Sequence, residues 1–157
     1  MRKAEIKRKT KETNIALSIN LDGAGKSSIS TPFGMLTHML EQISKHASID
    51  LNIKVEGDTE TGSHHVVEDT AIVLGEAFDK ALGDRSGIER MADSTVPLDE
   101  SLSMVAIDLA GRGYHSVEIL PSNQMGDFPT DMARHFFETL AVETKMALHI
   151  RTLAGKN

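Results

Sequence analysis

The stretch Glu12-Thr13-Asn14-Ile15-Ala16-Leu17-Ser18-Ile19-Asn20-Leu21-Asp22-Gly23-Ala24-Gly25 places an apolar residue at every second position from Ile15 to Leu21 and then turns. Such alternation marks a strand with one face toward a core, and the turn before Ser27-Ser28-Ile29 predicts an antiparallel hairpin. The pattern returns later in the chain. Glu12-Thr13 corresponds to Glu100-Ser101, Ile19 to Ile107, Leu21 to Leu109, Gly23 to Gly111 and Gly25 to Gly113, all at one spacing. A second constant spacing relates His38 to His135, Glu41 to Glu138, Ile43 to Leu140, Leu51 to Leu148, Ile53 to Ile150 and Lys54 to Arg151. Ungapped correspondence over both stretches predicts an internal duplication. The expected fold is α+β, with half-repeats 1–90 and 91–157 forming one compact domain.

Between these landmarks the helices follow from apolar spacing. Thr31-Pro32 predicts a helix start, threonine as cap and proline at the first helical position, with Leu36, Met39, Leu40, Ile43 and Ala47 on one face. Leu51, Ile53 and Val55 alternate as a strand. A second helix is expected from near Ser63 through Val67, Ala71, Leu74, Phe78 and Leu82 to a stop at Gly83-Asp84. From Thr95 the order restarts, with strands over Met104–Leu109 and Tyr114–Ile119. A third helix follows from near Thr130 with Met132, Phe136, Phe137, Leu140 and Ala141, then a strand at Leu148-His149-Ile150. In the first half Gly57 precedes His64 by a short loop, whereas in the second Gly155 is followed only by Lys156 and Asn157. The duplication therefore predicts a second half that lacks its last helix, one that would begin with His-His-x-x-Glu.

Composition narrows the chemistry. The chain has 157 residues, a formal net charge of -6 and no cysteine. An acidic chain without a lysine and arginine cluster is unsuited to nucleic acid, although a few placed arginines suffice for a small phosphorylated substrate. Without thiolates, a metal must take imidazole and carboxylate, which favours Mn, Fe, Co or Zn. No apolar run approaches the ~20 residues of a membrane span, and Met1-Arg-Lys-Ala-Glu-Ile has no signal-peptide core, so a cytoplasmic protein is expected.

His64-His65-Val66-Val67-Glu68-Asp69 supplies the donors. On a helix His64 and Glu68 are four apart and His65 and Glu68 three apart, so each pair can meet around an ion. A solvated helix start with a glutamate near the positive end of the dipole would not need adjacent histidines. The motif is not that of a zincin or inverzincin protease, since no His-Glu-x-x-His occurs and Asp69, not histidine, follows Glu68. His38 and His135 would each pass for helix-face histidines, but their equivalent places in the repeat mark both as candidate ligands. His46, His115 and His149 are read as structural. Arg90 and Arg112 lie beside turn glycines (Gly87, and Gly111 and Gly113), where a guanidinium can grip a phosphate. Glu12 by itself reads as a solvated charge.

Taken together, these segments resemble imidazoleglycerol-phosphate dehydratase of histidine biosynthesis across almost the whole chain. The resemblance rests on Arg8-Lys9-Thr10-Lys11-Glu12-Thr13, Thr31-Pro32-Phe33-Gly34-Met35-Leu36-Thr37-His38-Met39-Leu40-Glu41, His64 to Asp69, Ala81-Leu82-Gly83-Asp84, Val96-Pro97-Leu98-Asp99-Glu100, Asp108-Leu109-Ala110-Gly111-Arg112 and His135-Phe136-Phe137. Leu148 to Asn157 resembles the segment before that family's second His-His-x-x-Glu motif. The chain departs from the family pattern at Thr37, Gly62-Ser63 and Gly113.

The resemblance implies two halves of the ribosomal-protein-S5-domain-2-like type, each a four-stranded sheet with two helices on one face. It implies homo-oligomers, trimers that assemble with Mn into a twenty-four-subunit shell, and two Mn2+ per active site shared between subunits. By position, His64 and His135 would serve one Mn and His38, His65 and Glu68 the other, with further ligands from the absent motif. The implied reaction is a hydro-lyase step, imidazole glycerol phosphate to imidazole acetol phosphate. Glu12 and Glu68 would be catalytic, Arg90 and Arg112 would hold the phosphate, and Glu12, His38, His64 and His65 would also contact the substrate. The alternative is a catalytically inactive metal-binding or assembly scaffold of the same fold, for which Glu12, Arg90 and Arg112 would be unnecessary.

Overall fold

A computed structural model of the chain describes residues 1–60, 62–119 and 126–155. The first half contains β1 (Lys3–Lys9), β2 (Thr13–Asn20), β3 (Ser27–Ser30), α1 (Gly34–Ala47), β4 (Asp50–Gly57) and α2 (His64–Leu82). The second contains β5 (Met91–Leu98), β6 (Ser101–Asp108), β7 (Tyr114–Glu118), α3 (Thr130–Thr144) and β8 (Ala147–Ala154). The strands form two four-stranded sheets of the same mixed topology, β1-β2-β4-β3 and β5-β6-β8-β7. Duplication is therefore visible in strand order as well as in sequence. The closing Lys156-Asn157 lies outside the described residues.

The predicted hairpin does not form. Instead, β2 pairs antiparallel with β4, and β3 lies parallel to the far side of β4. Asp50, the first residue of β4, explains the difference. Its Oδ1 accepts the backbone N–H groups of Ala24 (2.9 Å) and Lys26 (3.0 Å), so the turn closes on the third strand and not on itself. Gly23 is required there, because a Cβ would collide with the backbone nitrogen of Asp50. In the second half β8 likewise separates β6 from β7.

The start of α1 also differs from expectation. Thr31 bonds to the Phe33 backbone and does not cap the helix, which begins at Gly34. The free N–H groups of Gly34 and Met35 go to the carboxylate of Asp127, which reaches α1 from the segment before α3 (2.5 and 3.0 Å). These bonds, led by that from Met35 and opposed by desolvation, hold the Asp127 carboxyl below its ordinary pKa. Of the apolar set, Leu36 and Leu40 are buried whereas Met39 and Ala47 are exposed, because Ser44 takes a core position and donates to the Ile49 carbonyl (2.7 Å).

The core lies between the first sheet and α2, with Ile15, Leu17, Ile19, Leu51, Ile53 and Val55 facing Val66, Val67, Val73, Leu74 and Ala77. Helix α3 packs along α2 and also on β7, so a helix of the second half seats against a helix of the first. At Gly75 the two helices approach so closely that a Cβ would stand 2.5 Å from that of Glu143. The second sheet carries α3 as its one helix among the described residues, and β5 is exposed along its whole length.

Candidate active site

The seam between α2 and α3 brings the strongest candidates together. His64 stands in the first turn of α2, Glu68 one turn later, and His135 faces them from α3. The Nε2 of His64 is 3.3 Å from one Glu68 oxygen and the Nε2 of His135 is 3.6 Å from the other. The two imidazoles stack with centroids 4.9 Å apart and planes at 16°. One donor atom from each of these three residues falls within 4.8 Å of the others, a spacing that suits a single ion. His135 Nε2 is buried without a hydrogen-bond partner. Since buried polar atoms are normally paired, an imidazole nitrogen left unpaired beside a carboxylate and a second imidazole fits a metal ligand.

This grouping differs from the expected assignment, because Glu68 stands with His64 and His135. His65 points elsewhere, its ring edge-on to that of His64 at 5.9 Å. His38 lies exposed on α1, and α1 has no counterpart of α2 packed along it among the described residues. His46 bonds to Gln42, His115 lies near Glu138 and His149 lies against the Tyr114 ring, all outside the cluster as expected.

Glu12 occupies the turn between β1 and β2, beside the start of α2. A Cβ on Gly57 would meet Val66 of that helix at 2.6 Å and the Glu12 carbonyl at 3.5 Å, which shows how closely turn, strand end and helix approach. The Glu12 carboxylate is exposed and has no hydrogen-bond or ion-pair partner among the described residues.

Arg90 and Arg112, read separately in the sequence, gather around Asp108. Arg90 donates from Nε (2.6 Å) and Nη2 (3.0 Å) to the two Asp108 oxygens. The Arg90 hydrogen bonds hold the Asp108 carboxyl below its ordinary pKa against partial desolvation, and the charges of Arg90 and Arg112 add to the effect. Because Asp108 takes one edge of the guanidinium, the remaining N–H donors of Arg90 are oriented for an anion. Sequence reasoning missed Asp108 as the residue that joins the two arginines. Its signal was a carboxylate ending an apolar strand, at the position equivalent to Asn20. This group lies where β5 begins and β6 ends, and neither strand packs broadly on α2.

Sequence reasoning also left Asp69 without a role. It is buried on the core side of α2, where its oxygens accept from Thr13 Oγ1 (2.5 Å) and Arg8 Nε (3.0 Å). Its signal was the carboxylate adjoining Glu68, which a helix turns by about 100° onto another face.

Together, the duplicated sheets and the imidazole and carboxylate set at their seam define an α+β protein suited to divalent-metal chemistry. The comparisons specify the family. Residues 31–157 match the model of imidazoleglycerol-phosphate dehydratase. The chain is 51% identical over 157 residues to an imidazoleglycerol-phosphate dehydratase of Dehalococcoides mccartyi, covering 99% of this chain and 79% of that protein. It is 47% identical over 160 residues to one of Xanthobacter autotrophicus, covering 100% and 80%. The crystal structure of the Staphylococcus aureus enzyme superposes with a TM-score of 0.87 at 31% identity, covering 99% of this chain and 86% of that one. The chain belongs to the imidazoleglycerol-phosphate dehydratase family, and is an enzyme of that type with a role in histidine biosynthesis.

Proposed function

We propose that this chain removes water from imidazole glycerol phosphate to give imidazole acetol phosphate, at a Mn2+-dependent site shared between subunits of a homo-oligomer. The observation that carries the proposal is the His64–Glu68–His135 cluster with its unpaired, buried His135 nitrogen. These three residues would hold one Mn2+. His38 and His65 would serve a second, with remaining ligands from another subunit. Bound there, the metal would supply Lewis-acid polarisation of the substrate imidazole.

The chain's own residues account for the other requirements. Glu12, free of partners and beside the metal helix, takes the proton from the carbon adjoining the imidazole and returns it as the hydroxyl departs as water. The enol so formed tautomerises to the ketone. Glu68 places one carboxylate oxygen near each of the two stacked imidazoles, where the three can share an ion. Arg90, oriented by Asp108, and Arg112 hold the phosphate, a role suited to bidentate donors. The separation of the arginine group from the α2–α3 seam within one chain supports a site assembled between subunits, with trimers as the first assembly and a twenty-four-subunit shell beyond them. Half-repeats 1–90 and 91–157, acting as one domain, supply its two ends, and the cytoplasm is the compartment proposed for it.

The test measures Mn2+ retained per subunit after saturation and removal of free metal, with turnover of imidazole glycerol phosphate followed in parallel. Metal-dependent turnover is expected. His135→Ala should weaken Mn2+ binding by at least ~10-fold, the order seen when a metal site loses a supporting group. Turnover undiminished by metal removal, or Mn2+ binding indifferent to His135, would refute this reading, and metal binding without turnover would favour the scaffold alternative.

A further inference from the structure

Asp69 adjoins the metal-binding face of α2 yet turns away from it, and its contacts with Thr10 and Thr13 lead to the turn that carries Glu12. A hydrogen-bond chain can be followed atom by atom. The Glu12 backbone N–H donates to Thr10 Oγ1 (3.2 Å), and so does that of Thr13 (2.9 Å). Thr10 Oγ1 lies 3.1 Å from Thr13 Oγ1 and 3.5 Å from Asp69 Oδ2; Thr13 Oγ1 donates to the same Asp69 oxygen, and Arg8 Nε donates to Asp69 Oδ1. On its other side, the Glu12 carbonyl accepts the N–H of Asp58 (3.0 Å). The Glu12 backbone is thus held from both directions while its carboxylate is left free.

We infer that Asp69 is a positioning residue for the Glu12 carboxylate, acting through Thr13 and Thr10. The inference rests on the proton-transfer role proposed for Glu12. One helix then performs two tasks with consecutive residues: Glu68 faces the imidazoles, and Asp69, turned about 100° onto another face, fixes the turn that delivers the acid/base group. A buried carboxylate at this place is not needed for packing, since an apolar residue would fill the volume without requiring three polar partners. What the carboxylate adds is direction, because its two oxygens bind Arg8 and Thr13 at fixed angles.

The experiment compares Asp69→Asn, Glu12→Gln and the double variant with the parent chain, reading kcat, KM, Mn2+ binding and amide exchange at Glu12 and Thr13. For Asp69→Asn, kcat should fall by about 10²-fold, the order expected for a reacting group displaced by about 1 Å, with KM and Mn2+ binding within about 3-fold of the parent. Exchange at the Glu12 and Thr13 amides should accelerate by at least about 10-fold, a readout that does not depend on turnover. Added to Glu12→Gln, the substitution should lower kcat no further, because the two residues act as a unit. Normal turnover in Glu12→Gln would overturn the Glu12 assignment itself and the inference with it. Should Glu12→Gln lose activity while Asp69→Asn keeps both kcat and amide protection, only the positioning role fails. Additive losses in the double variant would likewise overturn it in favour of a general structural effect. If Asp69→Asn does not fold, Thr10→Ser and Thr10→Val replace it. The serine variant should behave as the parent and the valine variant should show the kcat loss and fast exchange; identical behaviour of the pair would refute the inference.

Discussion

Arg112 shows how a single residue changes meaning between sequence and structure. Beside two glycines in the sequence it is a guanidinium placed to grip a phosphate by itself, but in the fold its charge also reaches Asp108, which already grips Arg90. Arg90 contributes an oriented edge, whereas Arg112 is exposed and can approach an anion from its own side. Removing it should therefore weaken phosphate binding without altering proton transfer. Arg112→Ala is expected to raise KM by ~10 to 100-fold at nearly constant kcat, the loss of one charge-assisted hydrogen bond, and Arg112→Lys should recover part of it. Steady-state kinetics with imidazole glycerol phosphate decides this. A fall in kcat at unchanged KM would remove Arg112 from the phosphate site.

At the scale of elements, legibility followed the range of the interactions. Helices α2 and α3 could be read closely, because the spacing of Val67, Ala71 and Leu74, and of Phe136, Leu140 and Ala141, records a buried face within one segment. Strands β1 and β5 went unread. Lys3-Ala4-Glu5-Ile6-Lys7-Arg8-Lys9 carries little apolar alternation, and its strand form comes from full antiparallel pairing with β2. The false hairpin arose similarly, since the true neighbour of both β2 and β3 is β4, far along the chain, and Asp50 selects it. For the site, the histidine motif identified the donors but not their grouping. That depends on which helix packs against α2, and the packing is set by a clamp at its far end. Asp79 of α2 accepts from Lys145 (2.6 Å) and from Arg85 (2.7 Å), and Arg85 also donates to the Thr144 carbonyl.

Burial raises the Asp79 pKa, but the hydrogen bonds from Lys145 and Arg85 outweigh it and leave the carboxyl below its ordinary value. A depressed folded-state pKa contributes stability that is present above the unfolded value of ~3.9 and is lost as pH falls through the folded one. Asp79→Ala should thus lower unfolding free energy by about 2 kcal/mol at pH 7, with the difference from the parent shrinking below pH ~4. Urea titrations at the two pH values measure it. A difference that persists unchanged in acid would assign the effect to helix packing and not to the ion pairs.

For the whole molecule, the two halves share a topology but not a covering. In the first sheet α2 lies across β1 and β2, and Ile15, Leu17 and Ile19 are almost inaccessible. In the second, β6 is only partly covered and all of β5 is exposed, with Met91, Val96 and Leu98 among the large apolar residues open to solvent. Among the described residues strand β5 also pairs on one side only, with β6. Few buried apolar contacts and one-sided pairing define a region that opens before the rest of the molecule unfolds. Amides of β2, β4 and α2 should therefore exchange slowly, through global unfolding. Those of β5 should exchange at least ~10-fold faster, a gap of about 1.4 kcal/mol or more in opening free energy. Because His64, Glu68 and His135 belong to α2 and α3, Mn2+ binding should raise protection across that seam while leaving β5 nearly unchanged. Residue-resolved hydrogen exchange with and without Mn2+ tests both expectations. Protection of β5 equal to that of β2 in the metal-free chain would mean that the exposed sheet face is covered in solution, and that the asymmetry between the halves belongs to the isolated subunit alone.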